Sequence, residues 1–210
     1  MKTDVITLCG DLSGRDAAME AAEKFAAYHE ITGKSAMHLR LLTEETISMI
    51  HGIFDSFSGS FWLESEKTPD GILCRICLSA KKLANMEQEA QILSVASTGK
   101  NESAKGILGK IREMLRRSLQ MPSEADAQYL QQMCDTVNDV GNYGFRSPDS
   151  NYWSLQIYRQ NLSEQKEAQH EEWDELEKSI IAKLSDEVKV WLENDSTTVV
   201  IEKLIHHTNK

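Results

Sequence analysis

The strongest constraint on the fold is the closing segment, where Val188, Val190 and Leu192 alternate with Lys189, Trp191 and Glu193. Alternation of period two sends successive side chains to opposite faces of a strand. Asn194-Asp195-Ser196 then supplies a turn, and Thr197 to Leu204 returns as a second strand. A hairpin of this pattern has one buried face, so another layer must cover it. An earlier hairpin has the same need. Ser60 to Glu66 and Ile72 to Leu78 flank Lys67-Thr68-Pro69-Asp70-Gly71, which carries proline and Asp-Gly where tight turns favour them.

Helical segments supply the cover. Asp16 to His29 is rich in alanine and places Met19, Ala22, Phe25 and Ala26 at helical spacing. Thr32-Gly33-Lys34-Ser35 breaks that pattern, Ser35 is the expected N-cap, and a second helix runs to about Phe54. It puts Leu39, Leu42, Ile50 and Ile53 on a buried face and Glu45, Ser48 and Met49 on an adjoining one. Asp4 to Gly10 reads as an opening strand, Asn151 to Arg159 as another, and Ser163 to Leu184 as a long helix. Between the hairpins, Met86 to Leu93 and Ser103 to Leu119 read as helices, and Pro122 to Ser150 as a polar connection. The expected fold class is α+β: a two-layer α/β sandwich whose mixed sheet of roughly six strands carries helices on one face. Residues 1–210 are expected to form one domain, with 81–150 as a long, lid-like insertion within it.

Composition narrows the function classes. The chain is 40% hydrophobic and 27% charged, an ordinary globular balance. No run approaches the roughly 20 apolar residues that cross a bilayer, and the opening residues turn acidic too soon for a signal peptide. A cytoplasmic location is expected, without membrane partners. A net charge of −10 opposes nucleic acid, and the stripe Arg112, Arg116, Arg117 reads as the solvated face of a helix. Cys74 and Cys77 have CxxC spacing within an apolar strand, where residues three apart point to opposite faces. They read as buried small hydrophobes, not as a metal clamp. His170-Glu171-Glu172-Trp173-Asp174 starts like a zinc-protease helix but lacks the second histidine. No metal site is expected there.

The second helix is where the chemistry concentrates. In Leu41-Leu42-Thr43-Glu44-Glu45-Thr46-Ile47-Ser48-Met49-Ile50-His51, Glu45 and Met49 stand one turn apart on the same face. This helix resembles one in the ATPase superfamily of gyrase, heat-shock chaperone, histidine kinase and MutL (GHKL). There a glutamate activates water, and an asparagine four residues later holds magnesium. The close of the chain, Glu177 to Val190 followed by Thr197-Thr198-Val199-Val200-Ile201-Glu202-Lys203-Leu204, resembles that of bacterial anti-sigma-factor kinases. Those proteins end in a helix, a "DEVEV"-like strand and a "TTVxxxK" strand. The resemblance covers the two ends of the chain and not its middle.

What it implies is a nucleotide-binding sandwich with ATP held between the helices of the sheet and a mobile lid. Glu45 takes the catalytic glutamate position. Met49 takes the magnesium-asparagine position, and its soft thioether is a poor match for a cation that prefers hard oxygen ligands. Glu44 and Ser48 are the neighbours able to replace that ligand. Ser79-Ala80-Lys81-Lys82 stands where an adenine-binding aspartate and glycine box is expected, and the box is absent. Lys105-Gly106-Ile107-Leu108-Gly109-Lys110 reads like a phosphate-binding glycine box, since glycines at a helix start let backbone N–H groups approach phosphate. An ordinary loop feeding an amphipathic helix fits the same residues. It is not a Walker A loop, because Ile111 stands where Ser or Thr binds magnesium.

Two functions follow. The first is an ATP-binding, or degenerate ATP-binding, regulatory protein of the serine-kinase or ATPase type, with ATP and Mg2+ as cofactors. Glu45 is then the general base, and Glu44, Ser48, Met49, Lys105, Gly106, Gly109 and Lys110 line the nucleotide. The second is a non-catalytic interaction module that keeps the fold and presents Met86, Met114, Met121 and Met133 to a partner. Either way the partner is a protein, a second copy of the chain included.

Overall fold

A computed structural model describes residues 1–9, 11–49, 58–81, 111, 152–164, 179–192 and 196–206. In chain order these hold β1 (Ile6–Cys9), α1 (Arg15–Tyr28), α2 (Gly33–Ser48), β2 (Ser58–Thr68) and β3 (Gly71–Lys81). They continue with β4 (Tyr152–Ser154), α3 (Leu155–Glu164), α4 (Ile180–Leu184), β5 (Glu187–Leu192) and β6 (Ser196–His206).

The six strands form one sheet in the order β1-β2-β3-β6-β5-β4. Both hairpins lie in it side by side, because β3 pairs with β6 from Gly71 opposite His206 to Lys81 opposite Ser196. The expected mixed sheet is corrected: every pairing among the described residues is antiparallel. The connections give the reason. Two helices separate β1 from β2, so the chain re-enters its neighbour reversed. A single crossover helix would have produced a parallel pair.

Alternation decides the two faces. Phe61, Leu63, Cys74, Ile76, Leu78, Ala80, Val188, Val190, Val199 and Ile201 point to one side and are fully buried. Against them pack Ala18, Ala22, Phe25 and Ala26 of α1, Leu39, Leu42 and Ile47 of α2, and Ile181 and Ala182 of α4. Small alanines let α1 lie close to the sheet, and Met19 is only partly buried. Ile111 joins the same cluster. Cys77, Arg75, Trp62, Lys189 and Glu202 take the opposite face, where an ion ladder crosses four strands. Arg75 donates to Glu66 at 2.7 Å and to Glu202 at 3.1 Å, and Lys189 donates to Glu202 at 2.8 Å.

The cysteines behave as small hydrophobes. Cys74 and Cys77 are buried on opposite faces, and desolvation pushes their thiols up to about 11 and about 12. A thiol so reluctant to ionise is a poor nucleophile at neutral pH. Among the described residues, no group of three His, Cys, Asp or Glu is placed to hold a metal ion, and no helix is long and apolar enough to cross a membrane.

Three element boundaries differ from expectation. Helix α2 starts at Gly33 behind Thr32, two residues before Ser35. Strand β4 ends at Ser154, and Leu155 opens a helix in place of the strand expected through Arg159. Apolar spacing allows both, since Trp153, Leu155 and Ile157 alternate while Leu155, Tyr158 and Leu162 form a helical stripe. The carboxylate of Glu187 decides it: Oε1 accepts from the Gln156 backbone N–H at 3.2 Å, and Oε2 accepts from Ser154 Oγ at 2.9 Å. Capping by an oxygen acceptor stabilises a helix start by roughly 1 kcal/mol. The long helix expected from Ser163 to Leu184 is broken at Ser179, which is extended (ψ 121°) and whose Oγ accepts from the Ala182 N–H.

The first hairpin turns through Pro69-Asp70 and closes on Gly71, whose φ is +155°. A Cβ there would meet Ile205 O at 2.0 Å, on the strand that joins the two hairpins. Gly71→Ala is therefore expected to cost about 1–3 kcal/mol in urea unfolding, while Asp70→Ala in the exposed turn stays within about 0.5 kcal/mol.

Candidate functional site

The geometry of α2 follows from which flank meets α1. Arg40 Nη1 donates to Glu23 Oε1 at 2.6 Å, and Arg15 Nη2 donates to Glu44 Oε1 at 2.7 Å. Arg40 and Glu44 are one turn apart, so this flank is clamped to α1. Glu45 is rotated by about 100° from Glu44 and falls on the other flank, the side on which α2 packs against α4. Leu39, Leu42, Thr43, Thr46 and Ile47 form the stripe that faces the sheet. Two threonines fit there because Thr43 Oγ1 donates to Leu39 O at 2.9 Å and Thr46 Oγ1 to Leu42 O at 2.7 Å. A buried hydroxyl without such a partner is costly.

Glu45 is half-buried. Desolvation raises its proton affinity above that of an ordinary glutamate, and the neighbouring Glu44 carboxylate raises it further. Of the acids in the helix layer with a resolved shift, Glu20 is lowered by its bond to Lys24, so Glu45 stands apart as the carboxylate pushed upward. A half-buried acid of this kind keeps its proton to a higher pH than a free glutamate does.

The other expected site residues divide. Met49 is fully buried in the core cluster instead of lying on an adjoining face with Glu45 and Ser48. It ends α2, and its N–H donates to Glu45 O at 3.2 Å. Ser48 Oγ donates to the same carbonyl at 2.8 Å. Glu44 is turned to Arg15. Met49 therefore offers magnesium no hard ligand beside Glu45, while Glu44 and Ser48 are engaged with Arg15 and with the Glu45 carbonyl. Lys105, Gly106, Gly109 and Lys110 lie outside the described residues, as do Ile50, Ile53, His51, Cys134 and nearly all of 81–150.

Two residues from the closing strand motif have structural duties that sequence reading did not reveal. Asp186 accepts from the Leu204 N–H at 2.6 Å and from Lys203 Nζ at 3.2 Å, tying the start of β5 to β6. Glu187 is 7% exposed and caps α3 as described above, also accepting from the Val188 N–H at 2.8 Å. Its partners are up to 33 residues away, so no local pattern announces them. A cleft of about 390 Å³ opens nearby between Tyr152, Gln156, Gln160, Glu187, Lys189 and Glu202. Glu45 does not line it, and its charged groups are already engaged in the cap and the ion ladder.

No protein-family model, curated protein or solved structure matches the chain.

The raised proton affinity of Glu45 has a stability consequence of definite sign. The folded state holds the Glu45 proton more tightly than the unfolded chain does. This contribution is thus fully present below the unfolded carboxyl value, and it is lost as pH rises through the folded one. Glu45→Gln, which keeps shape without charge, is expected to melt at a higher temperature than the parent at pH 7. The gap should close as pH falls toward 4, which thermal melts across that range will measure.

Proposed function

We propose that this chain is an ATP-binding regulatory protein of the GHKL type, resembling anti-sigma-factor serine kinases and histidine-kinase ATPase domains, with Glu45 as its general base. The observation that carries the reading is the half-buried carboxylate of Glu45 on the flank of α2, above a sheet that both hairpins share. A base accepts a proton more readily as its affinity approaches the working pH. Glu45 would take the proton of an attacking hydroxyl or water while the nucleotide supplies the phosphoryl group. A protein partner in the cytoplasm is part of the same proposal.

One observation favours a second reading. Met49 is sealed in the core at the position where the resemblance implies a metal ligand. A sandwich that kept its core there and gave up its metal would serve as a non-catalytic interaction module.

Thermal melting with added ATP separates the two. Nucleotide at about 100 times its Kd is expected to stabilise the protein by roughly 2.7 kcal/mol. Glu45→Ala should retain that shift and lose phosphate release or transfer. A protein that does not move with millimolar ATP is the interaction module instead.

A further inference from the structure

We propose that the cleft beside β4 and β5 is a binding site for a small organic cation, an aliphatic primary ammonium, with Glu187 as its anchor. The cleft opens on the sheet face opposite α1 and α2, away from Glu45, so this site does not depend on nucleotide binding. Two carboxylates meet in it. Glu187 and Glu202 are directly opposed in the β5–β6 register, an arrangement that destabilises a sheet unless cations answer it. For Glu202 they do: Lys189 donates to it at 2.8 Å and Arg75 at 3.1 Å. Glu187 is 7% exposed, and among the described residues it has only neutral donors, the Gln156 N–H, the Val188 N–H and the Ser154 hydroxyl.

Neutral donors satisfy the oxygens without cancelling the charge. The start of α3 supplies the equivalent of about half a positive charge, so roughly half of the Glu187 charge stays unanswered where water reaches poorly. A carboxylate accepts about four hydrogen bonds. Oε1 of Glu187 takes two and Oε2 takes one, which leaves Oε2 an acceptor site beside the cleft. The uncancelled charge calls for a cation. A hard metal ion wants several oxygen ligands, and among the described residues no group of three His, Cys, Asp or Glu is placed to hold one. An ammonium needs less: Glu187 Oε2 and the side-chain amide oxygen of Gln156 would take its N–H groups, while Tyr152 and Ile157 offer an alkyl chain apolar surface. A volume of about 390 Å³ accommodates such a molecule.

Amide-resolved NMR titration of the full chain with n-butylammonium, and in parallel with n-butanol, tests the site, because the two probes share an alkyl chain and differ in charge. The expected result is saturable movement of the Gln156 and Val188 amides with butylammonium, at least about tenfold tighter than with butanol. Lys189→Met leaves the α3 cap in place and removes the cleft's own cation. It is expected to tighten butylammonium about threefold, the scale of a part-exposed ion pair. Glu187→Gln is expected to abolish the response; if loss of the cap unfolds that variant, Lys189→Met carries the decision. Cleft amides that stay still at tens of millimolar butylammonium, or that follow butanol equally, overturn the inference. So does movement as large around Glu20 and Glu23 as around Glu187, since a chain of net charge −10 attracts any cation weakly. An affinity unchanged or weakened in Lys189→Met overturns it as well.

Discussion

The pairing of β3 with β6 is the joint on which the architecture depends. It runs for the full length of both strands and brings together hairpins far apart in the chain; Arg75 and Glu202, opposite each other, are 127 residues apart in sequence. Closing so long a loop is entropically costly, although the cost grows only slowly with length. The compensation is a continuous apolar surface. Ile76 faces Ile201 and Leu78 faces Val199, and on the far side of β6 these continue into Val188 and Val190. Burying one such side chain contributes about 1.5–3 kcal/mol relative to exposure. The ion ladder on the opposite face fixes the same register, because Glu202 receives Arg75 from β3 and Lys189 from β5.

The helix layer then inherits its order from the sheet. Helix α1 sits over β1 and β2, and α2 over β3 and β6 with α4 beside it. Once α1 is clamped to one flank of α2 through Arg15 and Arg40, Glu45 must lie on the other. A carboxylate in that position costs the fold something, since its charge is partly withdrawn from water. The same close packing seals Met49 inside.

Much of the fold was legible in the sequence. Alternation located both hairpins, with β2, β3 and β6 each running a few residues beyond the predicted limits, and alanine spacing located α1. The sheet's antiparallel character was less visible, because it depends on the connections between neighbours and not on the strands themselves. Helix α3 was hidden for a different reason: Leu155 and Ile157 satisfy a strand, and the choice is made by Glu187, 31 residues beyond the Gln156 N–H it caps. Around the candidate site, spacing placed Glu45 on a surface apart from the buried stripe, and its half-burial follows from the fold. Met49 lies at the edge of that stripe on a helical wheel, where periodicity alone does not separate buried from exposed. Thr43 and Thr46 look polar in sequence and are core residues because each hydroxyl bonds a carbonyl one turn back.

Methyl NOE spectroscopy on the intact chain tests the β3–β6 joint most directly. Directly opposed side chains on one face bring their Cβ atoms to about 4.5–5.5 Å. Cross-peaks linking the methyls of Ile76 with Ile201, and of Leu78 with Val199, are the predicted result. A spectrum in which neither hairpin shows any contact with the other would contradict the shared sheet, and with it the placement of Glu45 above that sheet.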